Sequence, residues 1–215
     1  MISCIMITSN RREFILKALQ CYLSQDFIDK ELIVVDDGSD HVDDLVNDVA
    51  SIYYHPGVKL TVGEKRNLAC TLAKGEYIVH WDDDDWSAPH RLSEEFKMME
   101  ESKKPVVGYK TMLFYDAALD KAWLYMGSDG FALGTSLFYK KVYWEQHKFS
   151  PKNLGEDHDF TIDAMKHFGI YSKEVGLSMV ALLHDRNTSP HDLTHQQFPS
   201  YPVEQLPPAF LEVYR

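Results

Sequence analysis

The chain has 215 residues, 45% of them hydrophobic and 26% charged, with a formal net charge of −11. That length supports one α/β domain with a substantial core, and no apolar run reaches the ~18 residues a membrane span needs. So acidic a balance excludes a nucleic-acid surface, which requires clustered Lys and Arg, although one anionic ligand can bind if a metal and a few local cations neutralise it.

Residues 2–7 are apolar and rich in β-formers, and they enter Asn10-Arg11-Arg12 with no small-residue cleavage site. They read as a first buried strand rather than a signal peptide. From Arg12, the residues Phe14, Ile15, Ala18, Leu19, Tyr22 and Leu23 recur at helical spacing. Ser24-Gln25-Asp26 breaks that helix, and residues 31–35 form a second buried strand ending in Asp36-Asp37-Gly38-Ser39. The pattern predicts a helix over 42–52, a short strand near 58–62, and a helix over 64–74 stopped by Gly75. A strand over 77–81 runs straight into Asp82-Asp83-Asp84-Asp85. Further strands are expected at 106–114, 133–139 and 180–183, and a helix where Phe160, Ile162, Ala164 and Met165 recur. Cys4, Cys21 and Cys70 are odd in number and lack CxxC spacing, so reduced buried thiols of a cytoplasmic protein are expected. The sequence ends at Arg215 without a terminal cap, as one domain of a longer polypeptide would.

Strands alternating with helices imply a doubly wound, mostly parallel sheet. Ligands of such sheets bind beyond the C-terminal strand ends. Three predicted strands end in polar clusters: Thr8-Ser9-Asn10-Arg11, Asp36 to Ser39, and Asp82 to Asp85.

Four consecutive aspartates span at most ~10 Å. Carboxylates that close raise one another's pKa unless a cation or solvent relieves them. Hard oxygen ligands of this kind suit Mg²⁺ or Mn²⁺; a solvated acidic loop is the plain alternative. A calcium loop of the EF-hand type does not fit, because Ser87 would stand where Gly is needed and Ser93 where Glu is needed. Gly155-Glu156-Asp157-His158-Asp159 opens a helix, where acidic residues also serve as dipole complements. Asp157 is a general-base candidate only in the company of a reacting hydroxyl. His184 follows an apolar strand and has a common metal-ligand side chain. His191 and His195 stand four apart without the glutamate a metalloprotease helix needs, so a solvated tail accounts for them.

Taken in order, these motifs resemble the family 2 glycosyltransferases of the GT-A fold. The resemblance rests on Ile5-Met6-Ile7-Thr8-Ser9-Asn10-Arg11, Val34-Val35-Asp36-Asp37-Gly38-Ser39, Lys65-Arg66-Asn67-Leu68-Ala69 and the segment from Ala73 to the acidic run. Gly134-Thr135-Ser136-Leu137-Phe138 and Gly155-Glu156-Asp157 complete it. It implies a GT-A domain over 1–189, with a nucleotide-binding half over about 1–100 and an acceptor half over about 101–189. A wrapping tail over 190–215 would follow.

The resemblance further implies transfer of a sugar from a nucleotide diphosphate, expected to be a UDP-sugar, to a glycan or glycoconjugate hydroxyl, with Mn²⁺ or Mg²⁺ and inversion. Thr8, Ser9, Asn10 and Arg11 would line the donor site. Asp37 would accept a hydrogen bond from uracil, and Lys65 and Arg66 would contact the base or diphosphate. Asp82 would be the first carboxylate of the DxD signature, facing ribose or metal, and Asp84 the second and main metal ligand. Asp83 or Asp85 would face the donor sugar, Asp157 would be the catalytic base, and His184 would add a metal or diphosphate contact. Ser9 stands where the family often has a stacking Tyr, which leaves base selectivity to Asp37 and Arg66. Two alternatives are a silent nucleotide-binding module and a sugar-nucleotide pyrophosphorylase. The latter needs a Gly-rich loop that Thr8-Ser9-Asn10-Arg11 lacks.

Overall fold

The computed structural model describes residues 1–188, 193 and 198–215. The His191 and His195 pair lies outside the described residues.

Apolar residues on both faces make β1 (Ile2–Thr8) and β2 (Lys30–Asp36) central strands, buried along nearly their whole length. Helix α1 (Arg12–Leu23) between them buries Ile15, Ala18, Leu19 and Tyr22. The helix expected over 42–52 is a single turn, α2 (Asp43–Val46). The Val49 and Ala50 amides close on the Val46 carbonyl, and the Ser51 amide bonds the Leu32 carbonyl. Pairing with β2 therefore takes the following residues into an edge strand, β3 (Ile52–Tyr54). The strand expected near 58–62 does not form. Those residues supply the entry to α3 (Val62–Leu72), where Thr61 and Glu64 make a reciprocal capping box. The helix ends at Leu72 rather than at Gly75. Gly75 is needed for another reason: a Cβ there would lie 2.5 Å from Ser3 Oγ and 2.8 Å from the Met1 carbonyl.

β4 (Tyr77–His80) delivers the acidic run, and β5 (Trp86–Ser87) and α4 (Arg91–Ser102) follow it. The single strand expected over 106–114 is two, β6 (Val106–Tyr109) and β7 (Thr111–Asp116), which belong to different sheets and change over at Lys110. β8 (Lys121–Met126) pairs back on β7. A 3-10 turn (Gly134–Ser136) then leads into β9 (Phe138–Lys140), shorter than the strand expected over 133–139. The chain continues through α5 (Lys141–Gln146), α6 (Glu156–His167), β10 (Tyr171–Lys173) and β11 (Met179–Leu183). It closes with β12 (Ser200–Tyr201), a 3-10 turn (Val203–Gln205) and α7 (Pro208–Tyr214).

The main sheet has seven strands in the order β10-β6-β9-β4-β1-β2-β3. β1 runs parallel to β2 and β4, whereas β9 runs antiparallel to β4 and β6. Side chains alternate across it, so Cys4, Met6, Leu32 and Val34 join one apolar cluster while Ile5, Ile33, Val35 and Ile78 join the other. A smaller sheet, β12-β8-β7-β11-β5, packs beside it. From β1 the chain winds outward through β2 and β3, then crosses back to β4 on the other side of β1. This reversal opens a crevice at the C-terminal ends of β1 and β4. No described helix is long and apolar enough to cross a membrane.

Candidate active site

A cleft of about 260 Å³ occupies that crevice. Thr8, Ser9, Arg11, Lys65, Arg66, the whole run Asp82 to Asp85, Gly134, Thr135, Glu156 and Asp157 line it. Strand order thus gathers residues from five separate stretches of sequence.

On the β2 side, Asp36 is structural: its oxygens accept from Gly38 N at 2.8 Å, Val42 N at 3.1 Å and Tyr53 Oη at 3.0 Å. Asn10, with φ of 57°, turns its Oδ1 onto the Ser39 and Asp40 amides at 2.8 Å. It braces the 38–40 turn and does not line the cleft. Asp37 has a fully buried side chain. Lys59 Nζ and Lys65 Nζ donate to its Oδ1 at 3.0 and 3.1 Å, and Leu60 N donates to its Oδ2 at 3.0 Å. Burial works against the charge, yet the Leu60 amide and the two ammoniums hold Asp37 below the usual carboxylate range. Burial pushes Lys65 down against the pull of Asp37.

The acidic run fans out as it leaves β4. Arg11 Nη1 donates to Asp83 Oδ1 at 3.0 Å and to Asp84 Oδ2 at 2.9 Å. His184 Nε2 lies 3.0 Å from the same Asp84 oxygen, and its ring stacks on Phe14 with centroids 4.3 Å apart. Asp85 points the other way, accepting from Thr135 Oγ1 at 2.5 Å and Leu182 N at 3.2 Å. Burial and the charge of Asp84 push Asp83 up to about 7 against the pull of Arg11. Asp85 is raised well above its usual range by burial, with Asp84 and Asp82 adding to it. Asp83 Oδ2 is buried without a hydrogen-bond partner among the described residues.

Opposite this run, the glycine at 134 admits the Asp157 carboxylate, since a Cβ there would lie 1.7 Å from Asp157 Oδ2. Asp157 Oδ1 accepts from the His158 amide at 2.7 Å. The preceding Glu156 is buried and accepts from Arg66 Nε at 3.2 Å. Arg66 Nη1 and the Gly134 carbonyl both meet His80 Nδ1, the latter at 2.6 Å. Burial and the Arg66 charge hold His80 well below the usual histidine range, so its imidazole is neutral. Beneath the cleft, Arg91 donates to the His80 carbonyl at 2.9 Å and the Thr135 carbonyl at 3.0 Å, tying β4 to the 3-10 turn.

The sequence-derived set is largely brought together: Thr8, Ser9, Arg11, Lys65, Arg66, Asp82 to Asp85 and Asp157 share the cleft, and His184 reaches Asp84. Asn10 and Asp37 do not line it, Asp37 being buried on Lys59, Lys65 and the Leu60 amide. Lys59, Thr135, Glu156 and Asn187 belong to the same neighbourhood and went unassigned in sequence. Only Glu156 carried a signal, as the neighbour of Asp157 in an acidic pair. Among the described residues no three His, Cys, Asp or Glu side chains form a ready-made metal cage. A partial shell suits Mg²⁺ or Mn²⁺, which keep waters and bind through one or two carboxylates plus phosphate oxygens. The orphaned Asp83 oxygen and the 3.0 Å separation of Asp84 Oδ2 from His184 Nε2 fit this. Two ligands about 2.1 Å from a metal and at right angles would stand that far apart.

The sequence model of the family described as Glycosyl transferase family 2 matches residues 3–175. The chain is 38% identical over 99 residues to a protein named for colanic acid biosynthesis, the glycosyl transferase WcaA of Escherichia coli (strain K12), covering 43% of this chain and 36% of that protein. Among solved structures, Staphylococcus aureus TarS residues 1–349 with UDP-GlcNAc superposes with a TM-score of 0.74 at 20% identity. That match covers 87% of this chain and 60% of TarS 1–349. The mannosyltransferase PcManGT of Pyrobaculum calidifontis, in complex with GDP-Man and Mn²⁺, gives 0.67 at 16% identity, with 87% and 58% covered. The chain thus spans about a third of its curated relative and about 60% of these structures. At such identities the structural matches establish the GT-A fold, which agrees with the predominantly parallel sheet.

Proposed function

The chain belongs to glycosyl transferase family 2, and on that premise we propose that it moves a sugar from a nucleotide diphosphate donor to an acceptor hydroxyl. The observation that carries this reading is one cleft lined by Arg11, Lys65 and Arg66, by Asp82 to Asp85, and by Asp157. The cations suit a diphosphate, the carboxylates a divalent ion, and Asp157 a hydroxyl proton. We favour a UDP-sugar as donor; support comes from TarS, whose structure is in complex with UDP-GlcNAc.

In the reaction, Asp157 takes the proton from the acceptor hydroxyl, whose oxygen forms the new bond to the anomeric carbon. The bond from that carbon to the diphosphate breaks, and its electron pair leaves with the nucleotide. A single displacement with one base inverts the anomeric centre, by the geometric logic that separates inverting from retaining glycosidases. Asp84 and His184, with Asp82 nearby, would hold Mn²⁺ or Mg²⁺, which supplies Lewis-acid neutralisation of the departing diphosphate. Arg66, pinned by Glu156 and His80, keeps a cation beside the same leaving group.

Thermal melts with UDP, GDP and their sugars, each with Mn²⁺ or chelator, test the binding half. At ligand near 100 times Kd, UDP with Mn²⁺ should add about 2.7 kcal/mol, a shift of about 5–10 °C for a chain of this size. Equal stabilisation in chelator overturns the metal role, and a larger shift with GDP overturns the uracil preference. Release of free nucleotide from the donor tests turnover. Binding without any release would instead support a silent nucleotide-binding module.

A further inference from the structure

Arg11 sits where a cation bound to Asp84 would need room. Its Nη1 bridges Asp83 Oδ1 at 3.0 Å and Asp84 Oδ2 at 2.9 Å. Its Nη2 donates to the Arg186 carbonyl and reaches Thr188 Oγ1 at 3.4 Å. Asp84 Oδ2 also meets His184 Nε2 at 3.0 Å and Asn187 Nδ2 at 3.5 Å. Three nitrogens therefore crowd one carboxylate oxygen, and a divalent ion that uses this oxygen together with His184 Nε2 displaces one of them. His184 can stay, because an imidazole Nε2 can offer a lone pair to a metal. Asn187 already has a second acceptor, the Leu182 carbonyl at 3.1 Å. Arg11 has no lone pair and cannot become a ligand. It also carries the like charge, so it is the group that must move.

Resting on the metal reading above, we propose that Arg11 is an internal counter-cation that occupies the metal's place on Asp84 and transfers to the diphosphate when metal and donor bind together. The exchange conserves charge pairing: Asp84 trades a guanidinium for a divalent ion, and Arg11 trades two carboxylates for phosphate oxygens, which its planar fork suits. Metal alone must draw a paired, largely buried guanidinium off Asp84 and leave it only Asp83. Donor supplies further anionic oxygens for it. Metal affinity is therefore low without nucleotide and rises with it, and by linkage the nucleotide gains as much from the metal. The same step releases the Arg11 contacts to Arg186 and Thr188.

Titration of Mn²⁺ into the full chain, followed by the paramagnetic resonance of free Mn²⁺, tests this with and without UDP. Arg11→Met should bind Mn²⁺ alone about tenfold more tightly than wild type and show a smaller gain from added UDP. Arg11→Lys, which keeps one charge but cannot bridge both carboxylates in the same way, should fall between them and decides the matter if the Met variant melts early. Mn²⁺ binding by both Arg11 variants no tighter than wild type, with Asp84→Asn still abolishing it, overturns the exchange and leaves the metal reading intact. Unchanged Mn²⁺ binding by Asp84→Asn overturns both.

Discussion

Replacing Glu95 with Gln should stabilise the protein at neutral pH and not in acid. Glu95 lies on α4, fully buried, and its oxygens have no hydrogen-bond partner among the described residues. The nearest cation is Arg91, whose Nε stands 3.4 Å away. Burial outweighs that charge and raises the carboxyl from 4.5 to about 7. Between those values the folded chain keeps a proton that the unfolded chain has released, so stability falls as pH rises through the window. Above it the whole cost is present. At 1.36 kcal/mol per tenfold change in proton affinity, that cost is roughly 3 kcal/mol. Gln keeps the shape and carries no charge at any pH, while Arg91 retains Ser87 Oγ at 3.0 Å and the His80 and Thr135 carbonyls. The stability difference between variant and wild type should therefore grow by roughly 3 kcal/mol from about pH 4 to about pH 8, or about 6–12 °C in Tm. Calorimetric melts of both proteins across that range give the answer. Parallel curves would refute the buried, proton-holding carboxylate. A variant that lost ground with rising pH would show that the ion pair with Arg91 outweighs desolvation.

Asp157→Asn should lower sugar transfer by about 10²–10⁴ and leave nucleotide affinity within a few-fold, as steady-state turnover and calorimetric titration would report; near-normal transfer would remove Asp157 as base. Gly134→Ala should cause a comparable loss by a different route, because its Cβ would meet Asp157 Oδ2 at 1.7 Å and turn the carboxylate away. A melting curve close to wild type would show that the side chain, not the fold, gave way, and full activity would mean that Asp157 works from another rotamer. Asp84→Asn should weaken Mn²⁺-dependent UDP binding far more than Asp85→Asn. Asp84 lies beside His184 and Arg11, whereas Asp85 is committed to Thr135 and Leu182. The opposite order in a calorimetric titration would place the metal one residue along.

Local patterning carried β1, α1 and β2 because these elements are specified by neighbours in sequence. Apolar residues fill β1 and β2 from end to end, and α1 repeats its buried face every turn. The capping box of Thr61 and Glu64 was also local, and reading it would have placed the start of α3 correctly. Where elements depend on distant partners, patterning gave less. β3 exists because β2 offers an open edge, and the stretch around Lys110 divides because two sheets compete for it. Neither fact is written within a few residues of the segment concerned.

The site divides in the same way. Sequence by itself determined which residue types stand at strand ends: the cationic Arg11 after β1, Asp37 after β2, the four carboxylates after β4, and Asp157 at the start of a helix. Tertiary structure alone decided which way each one faces. The acidic run splits, Asp83 and Asp84 toward Arg11 and Asp85 toward Thr135. Arg66 is held by Glu156, 90 positions away, and Asp84 meets His184, 100 positions away. Periodicity fixes a buried face within one element, but these pairings depend on strand order and on the path of irregular loops, where side-chain direction follows no repeat.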